Sequence, residues 1–208
     1  MSSSGRLAIE PLPSRLRWLN PPLAWHTGDR SLELSAGPAT DLFVDPAGGA
    51  PALNAPALVG EVEGDFLFSA RVRPEQAATF DAGVLLLYRN DTSWAKLCLE
   101  RSPQGEPTVV SVVTRGVSDD CNSFPVAGGE IALRIAHLGD CFAFHAAGGD
   151  GFWHLVRYFS LGGVGPLEIG FLAQSPTGEG CRARFEEIVF EKRRRCWPRS
   201  RSRRHALW

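Results

Sequence analysis

The sequence predicts an all-β, antiparallel two-sheet sandwich, and three observations predict it. Short windows in which apolar and polar residues alternate with a period of two recur along the 208-residue chain. Turn-forming residues separate them roughly every 8–12 residues, the spacing of sandwich and barrel folds. Glycine (22) and proline (15) are scattered so densely that little room is left for long helices, which excludes all-helical and parallel α/β architectures. With 44% apolar side chains the chain can bury one full-sized core, so a single soluble globular domain is expected. There is no every-third glycine, and no apolar run reaches the roughly 18 residues of a membrane-spanning helix.

Taken in order, Ser31–Ala36 turns Leu32 and Leu34 inward. Phe66–Arg73 turns Phe66, Phe68, Ala70 and Val72 inward and Ser69, Arg71 and Arg73 outward before Pro74 ends it. Apolar or β-branched runs follow at Val84–Arg89, Trp94–Glu100 and Thr108–Thr114. Ile131–Ile135 places Arg134 outside, and Cys141–His145 and Trp153–Phe159 continue the series. Leu167–Ala173 turns Leu167, Ile169, Phe171 and Ala173 inward, and Ala183–Phe190 closes it. Arg89-Asn90-Asp91, Pro103-Gln104-Gly105, Gly148-Gly149-Asp150-Gly151 and Pro176-Thr177-Gly178 are turns. Thr40–Pro56, rich in Gly, Ala, Pro and Asp, is the longest irregular stretch and is expected to wrap the sandwich rim.

The net charge of −1 hides a split. Residues 192–208 hold eight basic residues and no acidic one, leaving 14 basic against 23 acidic residues before them. The division expected is an N-terminal extension over 1–17, the sandwich over 18–191 and a basic, disordered tail over 192–208. An acidic body argues against a nucleic-acid surface on the folded part, and the Arg/Ser tail would bind polyanions only nonspecifically. Five cysteines without CxxC spacing fit a reducing compartment better than a disulfide framework. The N-terminus lacks the apolar core of a secretory signal, so a cytoplasmic location is expected, with no membrane partner.

Catalytic and cofactor motifs are sparse. Glu61, Glu63 and Asp65 would share a strand face at steps of roughly 7 Å, within reach of paired-carboxylate glycoside hydrolysis, but Gly64 marks a turn that would break that face. No nucleophile elbow, P-loop or dinucleotide fingerprint occurs, and the five histidines lack zinc-site spacing; no cofactor or metal is expected. The informative strand is Trp94–Glu100. If Ala95, Leu97 and Leu99 face the core, then Trp94, Lys96 and Glu100 share the other face, and Lys96 is one of only two lysines. An indole, a cation and a carboxylate on one open face suit a sugar, with its apolar C–H face and rim of hydroxyls. The same set also fits a cross-strand ion pair beneath a covering tryptophan.

Six stretches together carry a family resemblance: ATDLF, EGDFLFSARV, FDAGVLLLYRNDTSWAKLCLE, VVTRGVSDD, GGDGFWHLVRYFSL and IGFLAQSPTGEGCRARFEEIVF. From about Trp18 to Phe190 they resemble the concanavalin A-like jelly-roll family labelled "regulation of enolase protein", a domain of unknown function similar to the C-terminal sandwich domain of family 43 β-xylosidases. The resemblance implies a concave sheet carrying a polar set onto which Thr40, Asp41, Lys96, Glu100, Ser118, Asp119, Arg157 and Ser175 fall. Leu42, Phe43 and Asp120 depart from the family pattern and remove aromatic stacking surface.

The function expected is a lectin-like or accessory carbohydrate-binding sandwich that holds a small saccharide or glycan end. Trp94 or Tyr88 would stack on the ring; Asp41, Lys96, Glu100 and Arg157 would hold hydroxyls; and Gln174 and Ser175 would complete the rim. Two other classes stand beside it. One is a glycoside hydrolase or metal-dependent sugar lyase, with Glu100 and Asp119 as the acid and base. The other is a regulatory module that binds a protein partner.

Overall fold

The structure, a computed structural model, describes residues 7–13, 15–149 and 151–193. Sixteen strands follow in chain order: β1 (Arg17–Asn20), β2 (Ala24–Gly28), β3 (Ser31–Ala36), β4 (Leu42–Phe43), β5 (Ala52–Leu53), β6 (Ala57–Val62), β7 (Asp65–Pro74), β8 (Ala82–Asn90), β9 (Ser93–Arg101), β10 (Pro107–Arg115), β11 (Val117–Pro125), β12 (Ile131–Leu138), β13 (Cys141–Ala147), β14 (Trp153–Phe159), β15 (Leu167–Gln174) and β16 (Cys181–Arg193). One 3₁₀ turn, Ala127–Gly129, is the only helical element among the described residues. No helix there is long and apolar enough to cross a membrane.

The strands form two seven-stranded antiparallel sheets packed as a jelly-roll sandwich. The first runs β1-β6-β15-β8-β9-β10-β11 and the second β14-β13-β12-β7-β16-β3-β2. The inward set read from alternation is the core. Leu32, Leu34, Phe66, Phe68, Ala70, Val72, Leu133 and Ile135 of the second sheet are buried in one cluster with Leu85, Leu97, Leu99, Ile169 and Phe171 of the first. Gly64, at φ 76, ends the face that Glu61 and Glu63 would have shared with Asp65, and both glutamates are exposed. Glu61 lies within β6, Glu63 lies in the turn and Asp65 opens β7.

Three features depart from the sequence reading. Strands β1, β2, β6 and β11 lie outside the runs that the sequence marks as strands; β11 is an edge strand whose Asp119-Asp120-Cys121-Asn122-Ser123 run is exposed, so burial imposed no alternation on it. The Thr40–Pro56 segment does not wrap the rim. It forms the small β4–β5 hairpin and lies across the outer face of the first sheet, where Leu42 joins a second apolar cluster with Val84, Leu86, Trp94, Cys98, Val110 and Val112. Finally, Lys192 and Arg193 extend β16, whereas the rest of the basic tail, with Cys196 and His205, lies outside the described residues.

The central strands of the first sheet are thus covered on both faces, and close approach is tested at Gly170. Paired with Val59 and Leu86, it sits where an added Cβ would fall on the Leu58 carbonyl oxygen. Gly170→Ala is expected to lower unfolding free energy by about 2 kcal/mol or more, since backbone must move to admit the methyl. Urea denaturation measures this, and a loss below about 0.5 kcal/mol would refute the close approach.

Candidate functional site

Strand β9 does divide its side chains as alternation dictates. Ala95, Leu97 and Leu99 enter the main core, while Trp94, Lys96, Cys98 and Glu100 point to the outer face. Lys96 lies in register between Leu86 and Val112, with Asp120 of β11 next in the row; Glu100 lies between Ala82 and Thr108, with Gln174 of β15 beyond Ala82. This face is covered, however. Lys96 is 2% exposed, Glu100 6%, Tyr88 8% and Trp94 0%.

Inside the covered face a polar chain is assembled. Lys96 Nζ donates to Gln174 Oε1 at 2.9 Å and contacts Asp41 Oδ1 at 3.3 Å, between the rings of Trp94 and Phe43 at 5.8 and 5.9 Å. That contact fixes the Gln174 amide: its Nε2 donates to the Phe80 carbonyl at 3.2 Å and reaches Glu100 Oε2 at 3.4 Å. Asp41 is held in turn, because its carbonyl accepts from the amides of Asn54 and Ala55 and its own amide donates to Asn54 Oδ1. Ala39 and Phe80, with φ of 53° and 69°, are non-glycine residues in the left-handed region flanking this network, a strain that persists only where surrounding bonds hold it. Among the described residues no cluster of three or more His, Cys, Asp or Glu side chains is placed to hold a metal ion.

The site residues expected from sequence therefore separate. Asp41, Lys96, Glu100 and Gln174 come together. Trp94 and Tyr88 share the face but present no ring to solvent; Trp94 is sealed under the covering segment, and the Tyr88 hydroxyl donates to Asp91 at 2.5 Å. Ser118 and Ser175 are spent on structure. The Ser118 hydroxyl accepts from the Val44 amide and bonds Thr114, while the Ser175 hydroxyl donates to the buried Asp81. Thr40 bridges to the Ser175 backbone.

Asp119 and Arg157 lie elsewhere. Asp119 pairs in register with Val113, so it faces away from Lys96, and it meets Arg157 of β14 at 3.0 Å across the sandwich edge. An acid and base formed by Glu100 and Asp119 across one groove is thus excluded by strand parity. Asp120 is the residue that shares the face of Lys96. The alternation after Ser118 carries that signal, since residues 118 and 120 must point the same way.

Burial is the largest influence and opposes charge on Lys96, yet Asp41, Cys98 and Glu100 together outweigh it, and the ammonium pKa lies above the ordinary lysine value. Burial pushes Glu100 up to about 8, with Lys96 opposing and Asp120 and Asp41 adding to the rise. Burial also raises Asp120, again against Lys96. Native Glu100 keeps its proton between about pH 4.5 and 8, where the unfolded chain has released it. Its stabilising contribution is complete below that window and is lost as pH rises to about 8. Between pH 5 and 8 the parent should therefore lose on the order of a few kcal/mol more than Glu100→Gln does. Urea unfolding at both pH values decides this; parallel losses would contradict a neutral Glu100.

Solved structures of other proteins share this architecture. A functionally unknown protein from Saccharomyces cerevisiae superposes with a TM-score of 0.79 at 21% identity, over 86% of this chain and 96% of that one. A mutant form of the GH43 protein BlXynB from Bacillus licheniformis gives 0.68 at 15% identity over 86% of this chain. The xylan beta-1,4-xylosidase from Bacillus halodurans gives 0.66 at 11% identity over 92%. The chain spans only 37% and 41% of these last two proteins, so the likeness is to one sandwich portion of each. A search of curated protein sequences finds no match. None of these likenesses bears on enolase. Residues 18–193 match a family profile across nearly all of the sandwich, and the chain belongs to the family described as protein of unknown function, DUF1349.

Proposed function

We propose that the protein is a noncatalytic sandwich that binds a small saccharide edge-on, by its hydroxyls, at the mouth of the Lys96 network. The observation that carries this reading is the polar chain Asp41–Lys96–Gln174–Glu100 set into an otherwise apolar face, with exposed Asp120 in the same row. A buried ion pair adds little to stability over apolar residues of similar volume, so such a chain is better explained by what its mouth presents to a ligand. Glu100 held neutral offers an O–H donor, Asp120 offers acceptors, and Asp41 is partly open. Vicinal hydroxyls, each both donor and acceptor, suit that set. The likeness to a sandwich portion of a GH43 protein and of a xylan beta-1,4-xylosidase supports the choice of ligand class.

Binding of this kind is weak. A few hydrogen bonds worth about 0.5–1.5 kcal/mol each, with Trp94 withheld from stacking, place dissociation constants in the millimolar range. NMR titration of the parent with a panel of pentoses, hexoses and xylo-oligosaccharides should shift amide signals around residues 41, 96, 100 and 120. Asp120→Ala should weaken the best ligand about tenfold, the loss of roughly one charge-assisted hydrogen bond. No shift with any sugar, or equal binding by the variant, would reject the site.

One observation favours a second reading. Glu100 kept neutral and the Asp120 carboxylate are an acid and a base on one sheet face, the combination glycoside hydrolysis uses. Release of reducing sugar from xylan fragments, abolished by Glu100→Gln, would establish that reading; its absence under conditions where binding is seen leaves the noncatalytic one.

A further inference from the structure

The outer face of the second sheet holds an open cavity of about 370 Å³, and nothing in the Lys96 site explains it. Strand register builds its floor. Ser69 and Arg71 of β7 point outward two residues apart, with Ala132 of β12 opposite Arg71 and Val189 of β16 opposite Ser69. One long side chain among three short ones leaves a hollow. Trp153 borders it from β14, with only the methyl of Ala147 between it and Ala132 in the row.

A distortion forms the opposite side. Strand β16 bulges between Glu186 and Val189, and the bulge brings Glu187, at φ 52°, onto Arg71. Arg30, at φ 47°, clasps the bulge: its carbonyl accepts from the Ile188 amide at 3.1 Å, and its Nε donates to the Ile188 carbonyl at 3.0 Å. Both residues line the cavity. Two non-glycine residues in the left-handed region are thus held at one hollow, and both such strain and bulges collect at ligand sites.

The polar groups here are within a ligand's reach. Arg71 forks onto Glu187 at 3.2 and 3.3 Å, which leaves a lone pair on each carboxylate oxygen and the hydrogens of Nη1, 3.7 Å from Glu130. Arg30 spends only Nε, so its terminal nitrogens have no partner among the described residues. The Ser69 hydroxyl and the Trp153 indole N–H have none there either, and neither is sealed from solvent. Arg30 and Arg71 are balanced by Glu187 and Glu130. Arg134 is no part of the wall; it covers one side of the Trp153 ring at 4.3 Å, and the cavity meets the indole surface that it leaves open.

We propose that this cavity binds an uncharged pyranose unit, as a second saccharide site independent of the Lys96 network. A sugar hydroxyl both donates and accepts, and a guanidinium side by side with a carboxylate offers a donor next to an acceptor. Glu187 with Arg71 therefore matches a vicinal hydroxyl pair. Ser69 meets a further hydroxyl, while Trp153, Ala132 and Val189 take the C–H face of the ring. Balanced charge gives an anion no advantage, and the volume lies in the range of small-ligand pockets.

The test uses the full chain and nitrogen–proton NMR, with Trp153→Phe assigning the Trp153 indole signal. Methyl glucoside should shift that signal and the Ser69 and Glu187 amides with a millimolar dissociation constant. Glycerol, which has the hydroxyls without the ring, should bind at least about tenfold more weakly, and glucuronate, the same ring with a charge, no more tightly. Ser69→Val removes the hydroxyl and fills the floor, and should weaken methyl glucoside at least about tenfold. No shift of these signals, equal binding of glycerol, tighter binding of glucuronate, or full binding by Ser69→Val would overturn the proposal. If Ser69→Val does not fold, Glu187→Ala at its exposed position decides instead: a loss of about tenfold supports the site, and full binding overturns it. Shifts confined to the amides of residues 41, 96, 100 and 120 would overturn this site and leave the first standing, and shifts confined to Ser69, Trp153 and Glu187 would do the reverse.

Discussion

A single desolvated ammonium organises the outer face of the first sheet. Removing Lys96 from water costs several kcal/mol unless charge and hydrogen bonds are supplied at the same place, and each supplier imposes its own geometry. Asp41 must come from outside the sheet, which brings the Thr40–Pro56 segment down onto it. Gln174 must point its carbonyl oxygen at Lys96, which sends its amide nitrogen toward Phe80 and Glu100. One cation therefore sets the orientation of a loop, an amide and a neutral acid.

The covering segment is pinned at two points, and both use residues that looked like ligand-binding candidates. Thr40 and Ser175 exchange backbone hydrogen bonds at one end, and at the other the Ser118 amide donates to the Val44 carbonyl while its hydroxyl accepts from the Val44 amide. Between them Leu42 seals the apolar cluster that contains Trp94. Burying a side chain of that size contributes roughly 2–3 kcal/mol, comparable to the strain of two non-glycine residues in the left-handed region nearby. Packing thus offsets a backbone geometry that would not persist alone. The same covering explains why β8 reads as a continuous apolar run rather than clean alternation: like β9 and β15 it is buried on both faces, as strands of parallel sheets usually are.

How much the sequence disclosed follows from what burial writes into it. Strands facing one core and solvent, such as β7, declare their register in every second residue, and Phe66, Phe68, Ala70 and Val72 were legible for that reason. The register of Lys96 was legible too, because Ala95, Leu97 and Leu99 leave it no other direction. Its surroundings were not. Whether an outward face is wet or covered depends on where an irregular segment some forty residues earlier comes to lie, and no local pattern encodes that. The exposed edge strand β11 left no apolar signal, so Asp119 was taken for a partner of Glu100 when parity with Ser118 selects Asp120. Serines at the site misled for a related reason: a hydroxyl that pins a loop and one that binds a ligand look alike in sequence.

The two outer faces finally differ in the charge they leave unspent. On the first sheet Asp41 compensates Lys96, and Glu100 is neutral through physiological pH, so the carboxylate of Asp120 is the charge left open at the mouth. Such a mouth repels anions and favours uncharged hydroxyls, whose weak dipoles need fixed directional partners rather than net charge. On the second sheet Glu187 and Glu130 are already paired with Arg71, and the Arg134 guanidinium lies on the Trp153 ring. A ligand bearing a carboxylate is disfavoured at the first mouth by Coulomb repulsion. Selectivity at that mouth then follows from which ion pairs the fold has already closed, before any ligand contact is counted.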